Sequence, residues 1–408
     1  MQTKNKPAKS QLTILKQICQ LIPGHTTIKI AREHKIASRS FDPWSHVVAH
    51  LFGHLCRAMS INDVCDGLAV HESALKEIRG AKVPSRNGFS HSNRKRDAAM
   101  AEDLYWAAEE KLRTEHAGFA SQHGAKNYAF RFKRPIHLVD ATTIQLVANC
   151  MDWAKHRRRK AAAKCHLRLE LQTFLPSFVI IDTAREHEAT RARELCADLR
   201  EGEIAIFDKG YIDLVHLWDL EQRGVFWVSR AKDNMAYEVV EERKVEGPKV
   251  LRDCVVKFKY HNSKTAYAGP MRLVRMKVEI DGKEQVMEFL TNHLEWSASS
   301  VADLYRCRWQ IELFFKSLKQ NLQIGSFLGH NANAVRWQIW MGLLMHLLMR
   351  FLKWKSRWAS HFGRLFTIVR CAMWHRWEVT SCLDFYGTAG VKRRMRTNLQ
   401  EAYLPGFM

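Results

Sequence analysis

In the segment VADLYRCRWQIELFFKSLKQ, which begins at Val301, Tyr305, Arg308, Glu312 and Lys319 stand at offsets 0, 3, 7 and 14. At roughly 100° per residue a helix gathers these four within an arc of about 60°. A phenol, a guanidinium, a carboxylate and an ammonium then face one way. Leu304, Ile311, Phe315 and Leu318 fall on the adjoining face, where they would anchor the helix to a core. Taken alone, the stripe also describes a solvated helix face with an Arg308–Glu312 pair at i, i+4. Two aspartates add weight to the chemical reading. Asp140 closes a short predicted strand, Ile136-His-Leu-Val-Asp, after which Thr142 to Val147 is expected to continue extended, and Asp208 follows another, Glu203 to Phe207. Strand ends commonly line active sites, although either aspartate by itself could be a turn or cap residue. Together the three acids are what two-metal phosphoryl transfer needs. Magnesium takes hard oxygen ligands and keeps positions open, and two ions about 4 Å apart can serve the attacking and leaving oxygens.

The elements that would carry these side chains can be read along the chain. Residues 1 to about 128 are predicted helical. Trp44 to Cys56 is apolar with three histidines, and Ser60-Ile-Asn-Asp63 has the spacing of a capping box. A Pro/Gly/Ser-rich loop, Pro84 to Ser92, is expected to precede a helix from about Asn93 to Arg113, whose first turn holds Arg94, Lys95 and Arg96. Strands begin at Ile136. Cys165, Leu167, Leu169 and Leu171 alternate with His166, Arg168, Glu170 and Gln172, which predicts a half-buried strand with His166 on its polar side. Ser177 to Asp182 reads as another strand, 186–200 as a helix, and the alternation as an α/β region. Residues 225 to 291 are strand-rich, with a hairpin from Met271–Ile280 through Asp281-Gly282 to Lys283–Leu290. One helix is expected over Ser300 to Gln320, capped by Ser300 and Asp303. A buried apolar helix is expected over Asn333 to Trp354.

The spacing Tyr, two residues, Arg, three residues, Glu, six residues, Lys is matched in full by Tyr305, Arg308, Glu312 and Lys319. On that motif the chain resembles the DDE-type bacterial insertion-sequence transposases, in the insertion-sequence-four family with its Y-R-E-K signature. The surrounding LYRCRWQIELFFKSLKQNL is similar to that family too. So are LVDATTIQL with DWAKHRRRKAAAKCH downstream, IFDKGYIDL followed by VFWVSRAKDN, and FLGHNANAVRWQIW beyond the glutamate. The amino-terminal DPWSHVVAHLFGHLCRAMSINDVCDGL resembles the helical domain that precedes the core in one branch. The resemblance runs from about residue 15 to 355. Ala141 stands where the family often has Ser.

The resemblance implies an α/β fold with a ribonuclease H-like catalytic core interrupted by a mainly β insertion. An all-α N-terminal domain precedes it and a helical C-terminal segment follows. The implied divisions are 1–128 (helical, DNA-binding), 129–224 (first part of the core), 225–295 (β insertion), 296–355 (second part, with the Glu312 helix) and 356–408 (helical, basic tail). Asp140, Asp208 and Glu312 would hold Mg²⁺, for which Mn²⁺ would substitute, and Tyr305, Arg308 and Lys319 would contact phosphates of the transposon end. The implied activity is cleavage and strand transfer at terminal inverted repeats, by a hairpin route. The implied partners are double-stranded DNA at transposon ends and target, and a second copy of the chain on DNA. Some relatives stack a tryptophan of the insertion on a flipped base. Trp227 and Trp296 are the candidates, each with a core role as the alternative.

Bulk properties agree with a nucleic-acid partner. The 408 residues carry 64 Lys plus Arg against 42 Asp plus Glu, a net charge of +22, and such a field attracts polyanions. The dense run Lys155-His-Arg157-Arg158-Arg159-Lys160, with Lys164, lies beside the first aspartate strand and is read as phosphate-contacting. A second cluster, Lys392 to Arg396, fits either a DNA contact or a solubilising tail. Ten cysteines show no C-x-x-C pair, and the histidines show no zinc spacing, so free thiols in a reducing cytoplasm are expected. No signal peptide or spanning helix is expected. Two rival functions remain at this level: a DNA-binding repressor descended from a transposase, and a structure-specific nuclease on the same core.

Overall fold

β1 (Ile136–Leu146) is the strand on which the first aspartate rides. It belongs to a computed structural model of the chain that describes residues 6–38, 40–120, 132–146, 155–157, 160–183, 188–280, 282–322 and 328–386. The further strands are β2 (Lys155–Arg157), β3 (Lys160–Glu170), β4 (Leu175–Thr183), β5 (Ile204–Phe207), β6 (Phe226–Arg230), β7 (Tyr237–Glu242), β8 (Val250–Phe258), β9 (Met271–Ile280) and β10 (Lys283–Thr291). They form one mixed sheet in the order β2-β3-β1-β5-β6-β10-β9-β8-β7, with β4 also paired to β3. β5 runs parallel to both β1 and β6, and the other pairs are antiparallel. β5 is short and buried along its whole length, as central parallel strands are.

The sheet bears on three sequence expectations. The strand-rich segment after residue 225 continues the same sheet, because Phe289 to Thr291 of β10 pair with Arg230 to Val228 of β6. β3 is buried on both faces: His166 and Arg168 are as inaccessible as Leu167 and Leu169. The helix Glu188–Leu195 covers the face expected to be wet, and Arg168 donates from Nη1 to the Leu195 carbonyl at 2.7 Å. Finally, the extended stretch expected from Thr142 belongs to β1 itself, so the strand runs past Asp140 and its antiparallel pairing with β3 continues through Leu146.

The chain divides into two units, Ala120–Lys316 with the sheet, and Met1–Phe119 together with Ser317–Met408. The second unit is helical. Its longest element, Ala332–Lys355, is buried along nearly its whole length, which explains an apolar run with no polar stripe. The helices Pro43–Cys56 and Ala99–Glu115 pack on it. Ser60 and Asp63 form the expected capping box on Ile61–Ala69. The expected helix Asn93–Arg113 is instead two, Arg86–Lys95 and Ala99–Glu115. Ser85 accepts from the Gly88 N–H and starts the first helix early. The Arg96 guanidinium donates to the Phe41 and Asp42 carbonyls, holding residue 96 extended and ending it. Among the described residues, no helix is long and apolar enough to cross a membrane.

Candidate active site

The parallel ladder between β1 and β5 pairs Val139 with Phe207 and stops there. Asp140 and Asp208 are therefore the next residues on adjacent strands about 4.8 Å apart. β1 continues past this point, while β5 turns into a short 3₁₀ turn, Lys209–Tyr211. Asp208 stands at the cap position of that turn but its side chain makes no capping bond, so its carboxylate is available. Asp140 Oδ1 accepts from the Ala141 N–H at 2.7 Å, leaving Oδ2 for another donor.

The glutamate arrives on a helix that is broken where one was expected whole. Ala298–Cys307 ends at Arg308, and Trp309–Leu322 begins beyond it. The first of these starts at Ser297, whose hydroxyl accepts from the Ser300 N–H, so the cap lies three residues before the expected one. Upstream, Arg272 fixes the approach: it donates to both Asp253 oxygens and, from Nη1, to the Leu294 and Trp296 carbonyls. Arg272 and Asp253 are each about 5% exposed. Sequence reading missed this buried pair, whose members sit on separate strands 19 residues apart.

Tyr305 and Arg308 join the three acids. Tyr305, its ring against Phe289, donates from the hydroxyl to Asp208 Oδ1 at 3.1 Å. Arg308 donates from Nη1 to Asp140 Oδ2 at 3.2 Å and from Nη2 to Glu312 Oε1 at 2.5 Å. Asp140 and Arg308 are under 20% exposed, so these contacts work in a reduced dielectric. Burial lowers the Arg308 pKa, but Tyr305, Asp140, Glu312 and Asp208 together outweigh it and the net shift is upward. Burial pushes the Tyr305 phenol up to about 12, so it remains a donor. Three carboxylates against one guanidinium leave these four groups with a formal charge of −2, which suits cation binding. Among the described residues, however, no three acidic, His or Cys side chains are already arranged to hold a metal ion. The Arg308 guanidinium lies between Asp140 and Glu312.

The other candidates fall elsewhere. Lys164 of β3 pairs with Thr143, while Leu167 pairs with Asp140. An odd separation places Lys164 on the opposite face of the sheet from Asp140. Arg157 is in β2; Arg158 and Arg159, like the cluster at 392–396, lie outside the described residues. Lys319 is exposed on the last turns of its helix, in the helical unit. Trp227 is fully buried with Phe207 and Leu217 in the core on the face opposite the acids. Trp296 stacks on His293 at 3.9 Å. A cleft of about 350 Å³ beside the acids is lined by Asp208, Tyr305 and Arg308, and also by Arg230, Arg306 and Trp309. Sequence reading passed over those last three. Arg230 ends β6 much as Asp208 follows β5, and Trp309 is 55% exposed beside Arg308.

Comparison with known proteins places the chain in a family. A transposase DDE domain matches residues 131–348, more than half of the chain, and a domain of unknown function matches residues 10–81. The chain is 31% identical over 252 residues to a putative transposase, y4zB, of Sinorhizobium fredii, covering 60% of this chain and 68% of that protein. It is 25% identical over 224 residues to a probable transposase for insertion sequence element IS5377 of Geobacillus stearothermophilus, covering 55% and 58%. A putative transposase for insertion sequence element IS4SA of Synechocystis is 23% identical over 279 residues, covering 67% and 73%. The chain thus belongs to the transposase DDE domain family, the DDE-type transposases of insertion sequences.

Proposed function

We propose that this chain binds the terminal inverted repeats of an insertion sequence and catalyses metal-dependent cleavage and strand transfer. The observation that carries the reading is the convergence of Asp140, Asp208 and Glu312 on Tyr305 and Arg308. The order β4-β3-β1-β5-β6, parallel only at β1-β5-β6, supports a ribonuclease H-like core, with Asp140 and Asp208 just past the end of the β1-β5 ladder and Glu312 on a helix. The donors fit Mg²⁺ or Mn²⁺ in type, being hard oxygens that carry a surplus of negative charge. Asp140, Asp208 and Glu312 would hold the metal, which when bound activates the attacking oxygen and neutralises charge on the phosphate.

The chain's own residues do the rest. Tyr305 orients the Asp208 carboxylate. Arg308, a planar fork with always-charged donors, is placed to exchange its carboxylate partners for phosphate oxygens when DNA arrives. Lys319 adds a point charge on the helix that carries Glu312, and the run at 155–160 supplies further backbone contacts. The helical N-terminal part is assigned to end recognition, and two ends brought together call for two copies of the chain on DNA. In phosphoryl transfer, positioning and charge neutralisation provide most of the rate.

The test is a cleavage assay on duplexes carrying the flanking inverted repeat. Asp140→Asn, Asp208→Asn and Glu312→Gln should each abolish Mg²⁺-dependent nicking and strand transfer while end binding persists. A variant that still nicks would remove its residue from the assignment. Cleavage without strand transfer into a plasmid would favour a nuclease.

A further inference from the structure

The helix Arg86–Lys95 reads RNGFSHSNRK, and from Lys82 to Arg96 the chain holds five cations and no carboxylate. Its inner side is pinned. Phe89, Ser92 and Asn93 are buried. Asn93 Oδ1 accepts from Nε2 of His46 at 2.7 Å and of His50 at 2.8 Å. Asn333 Nδ2 donates to the carbonyls of Asn93 at 2.9 Å and Arg96 at 2.6 Å, and the Trp337 indole donates to the latter at 2.8 Å. Neighbouring helices therefore fix both the axis and the rotation of this one.

The outer side is left entirely polar. Asn87, Ser90, His91, Arg94 and Lys95 are exposed, and Asn87, His91 and Arg94 repeat at i, i+4 and i+7 along one stripe. A solvated helix ordinarily mixes both signs of charge. This face has donors, amide and imidazole groups, and no acid. Beside it opens a cleft of about 540 Å³, whose lining includes Lys35, Ser38, Ser40, His91 and Lys95. Asp97, the carboxylate in that lining, is turned to the Ala99 N–H at 3.0 Å.

We propose that the helix Arg86–Lys95 enters the major groove of the duplex at the element's end, while Lys35 and Lys95 hold backbone phosphate at the cleft. The inference rests on the transposase reading above and adds the element that reads sequence. Ten residues make a helix of about 15 Å, and a major groove roughly 12 Å wide admits one helix. Asn pairs with the adenine edge and Arg with the guanine edge. A lipid surface or an acidic protein could use the lysines, but neither calls for the Asn87 and His91 stripe.

The experiment uses the full chain without divalent metal, so that binding is read apart from cleavage. Affinities are measured by fluorescence anisotropy for a duplex carrying the flanking inverted repeat and for a scrambled duplex of equal composition. Asn87→Ala, His91→Ala and Arg94→Ala alter exposed side chains, and thermal melting confirms their folding. At least one should cut the preference for the repeat about tenfold or more while scrambled binding stays within about twofold. Lys35→Ala and Lys95→Ala should weaken both duplexes alike and flatten the salt dependence by about one unit of slope each. A wild-type preference that survives all three helix substitutions overturns the assignment to this helix and leaves the transposase reading standing. A wild-type chain with no preference for the repeat overturns both.

Discussion

Arg308 and Asp140, separated by 168 residues of sequence, meet at 3.2 Å, and the same guanidinium reaches Glu312 at 2.5 Å. A cation of the protein thus holds two of the carboxylates assigned to a metal. Arg308 and a divalent ion would compete for the same oxygens, and removing one should favour the other. Arg308→Met keeps the stem and deletes the charge. Isothermal titration with Mn²⁺ in the absence of DNA should show affinity rising by about tenfold, equivalent to about 1.4 kcal/mol. Binding to end DNA should fall at the same time, with a shallower salt slope. Unchanged Mn²⁺ affinity would mean that Arg308 does not occupy the metal's place.

How much of this arrangement could be read from the chain depends on the distance over which it is encoded. Tyr305, Arg308 and Glu312 lie within eight residues, so helical spacing placed them on one face even though the helix breaks at Arg308. The break itself was hidden, because Arg308 has helical backbone angles and no Gly or Pro marks the joint. The alignment of Asp140 with Asp208 depends on parallel pairing between segments some 68 residues apart, and local periodicity does not specify register. The same limit misjudged β3: alternation predicted a wet face, but the later helix Glu188–Leu195 covers it. Arg96 read as one of three cations on the first turn of a helix, yet its guanidinium is consumed by the Phe41 and Asp42 carbonyls.

The Arg272–Asp253 pair should be costly to break on one side. Both side chains are almost fully buried, and Arg272 also holds the carbonyls just before Ser297. Arg272→Met leaves an uncompensated carboxylate and frees the start of the Tyr305 helix. Urea unfolding should show a loss of about 3–5 kcal/mol, with Arg272→Met/Asp253→Asn recovering part of it. A loss below about 1 kcal/mol would show that water reaches the pair and that it does not anchor the helix.

Acid should destabilise the protein well above the range in which carboxylates titrate. Burial first, with nearby cations adding for His346 and the neighbouring His54 for His50, drives both imidazoles down to about 3. Burial likewise brings His166 and His216 to about 4. Their folded pKa values lie below the unfolded value of about 6.5. The unfolded chain therefore binds more protons between the two, and stability present above pH 6.5 is lost progressively toward pH 3 to 4. Each fully buried histidine adds a slope of up to about 1.4 kcal/mol per pH unit. Denaturant midpoints at pH 7.5, 6 and 5 should fall in that order, and His50→Gln or His346→Gln should flatten the decline. A midpoint constant from pH 7.5 to 5 would show that these imidazoles are hydrated.

Tyr305 separates orientation from folding within the site. Its ring packs against Phe289 at 5.1 Å, and Tyr305→Phe keeps that contact while deleting the donor to Asp208 Oδ1. The hydroxyl is only partly buried and solvent can replace its bonds, so stability should change by less than about 1 kcal/mol. Asp208, which caps nothing, would lose the group that fixes its rotamer. Single-turnover nicking of end DNA should then slow by about tenfold or more with end affinity within a few-fold of wild type. Rate and affinity falling together would instead make Tyr305 a DNA contact. An unchanged rate would leave the hydroxyl without a part in positioning Asp208.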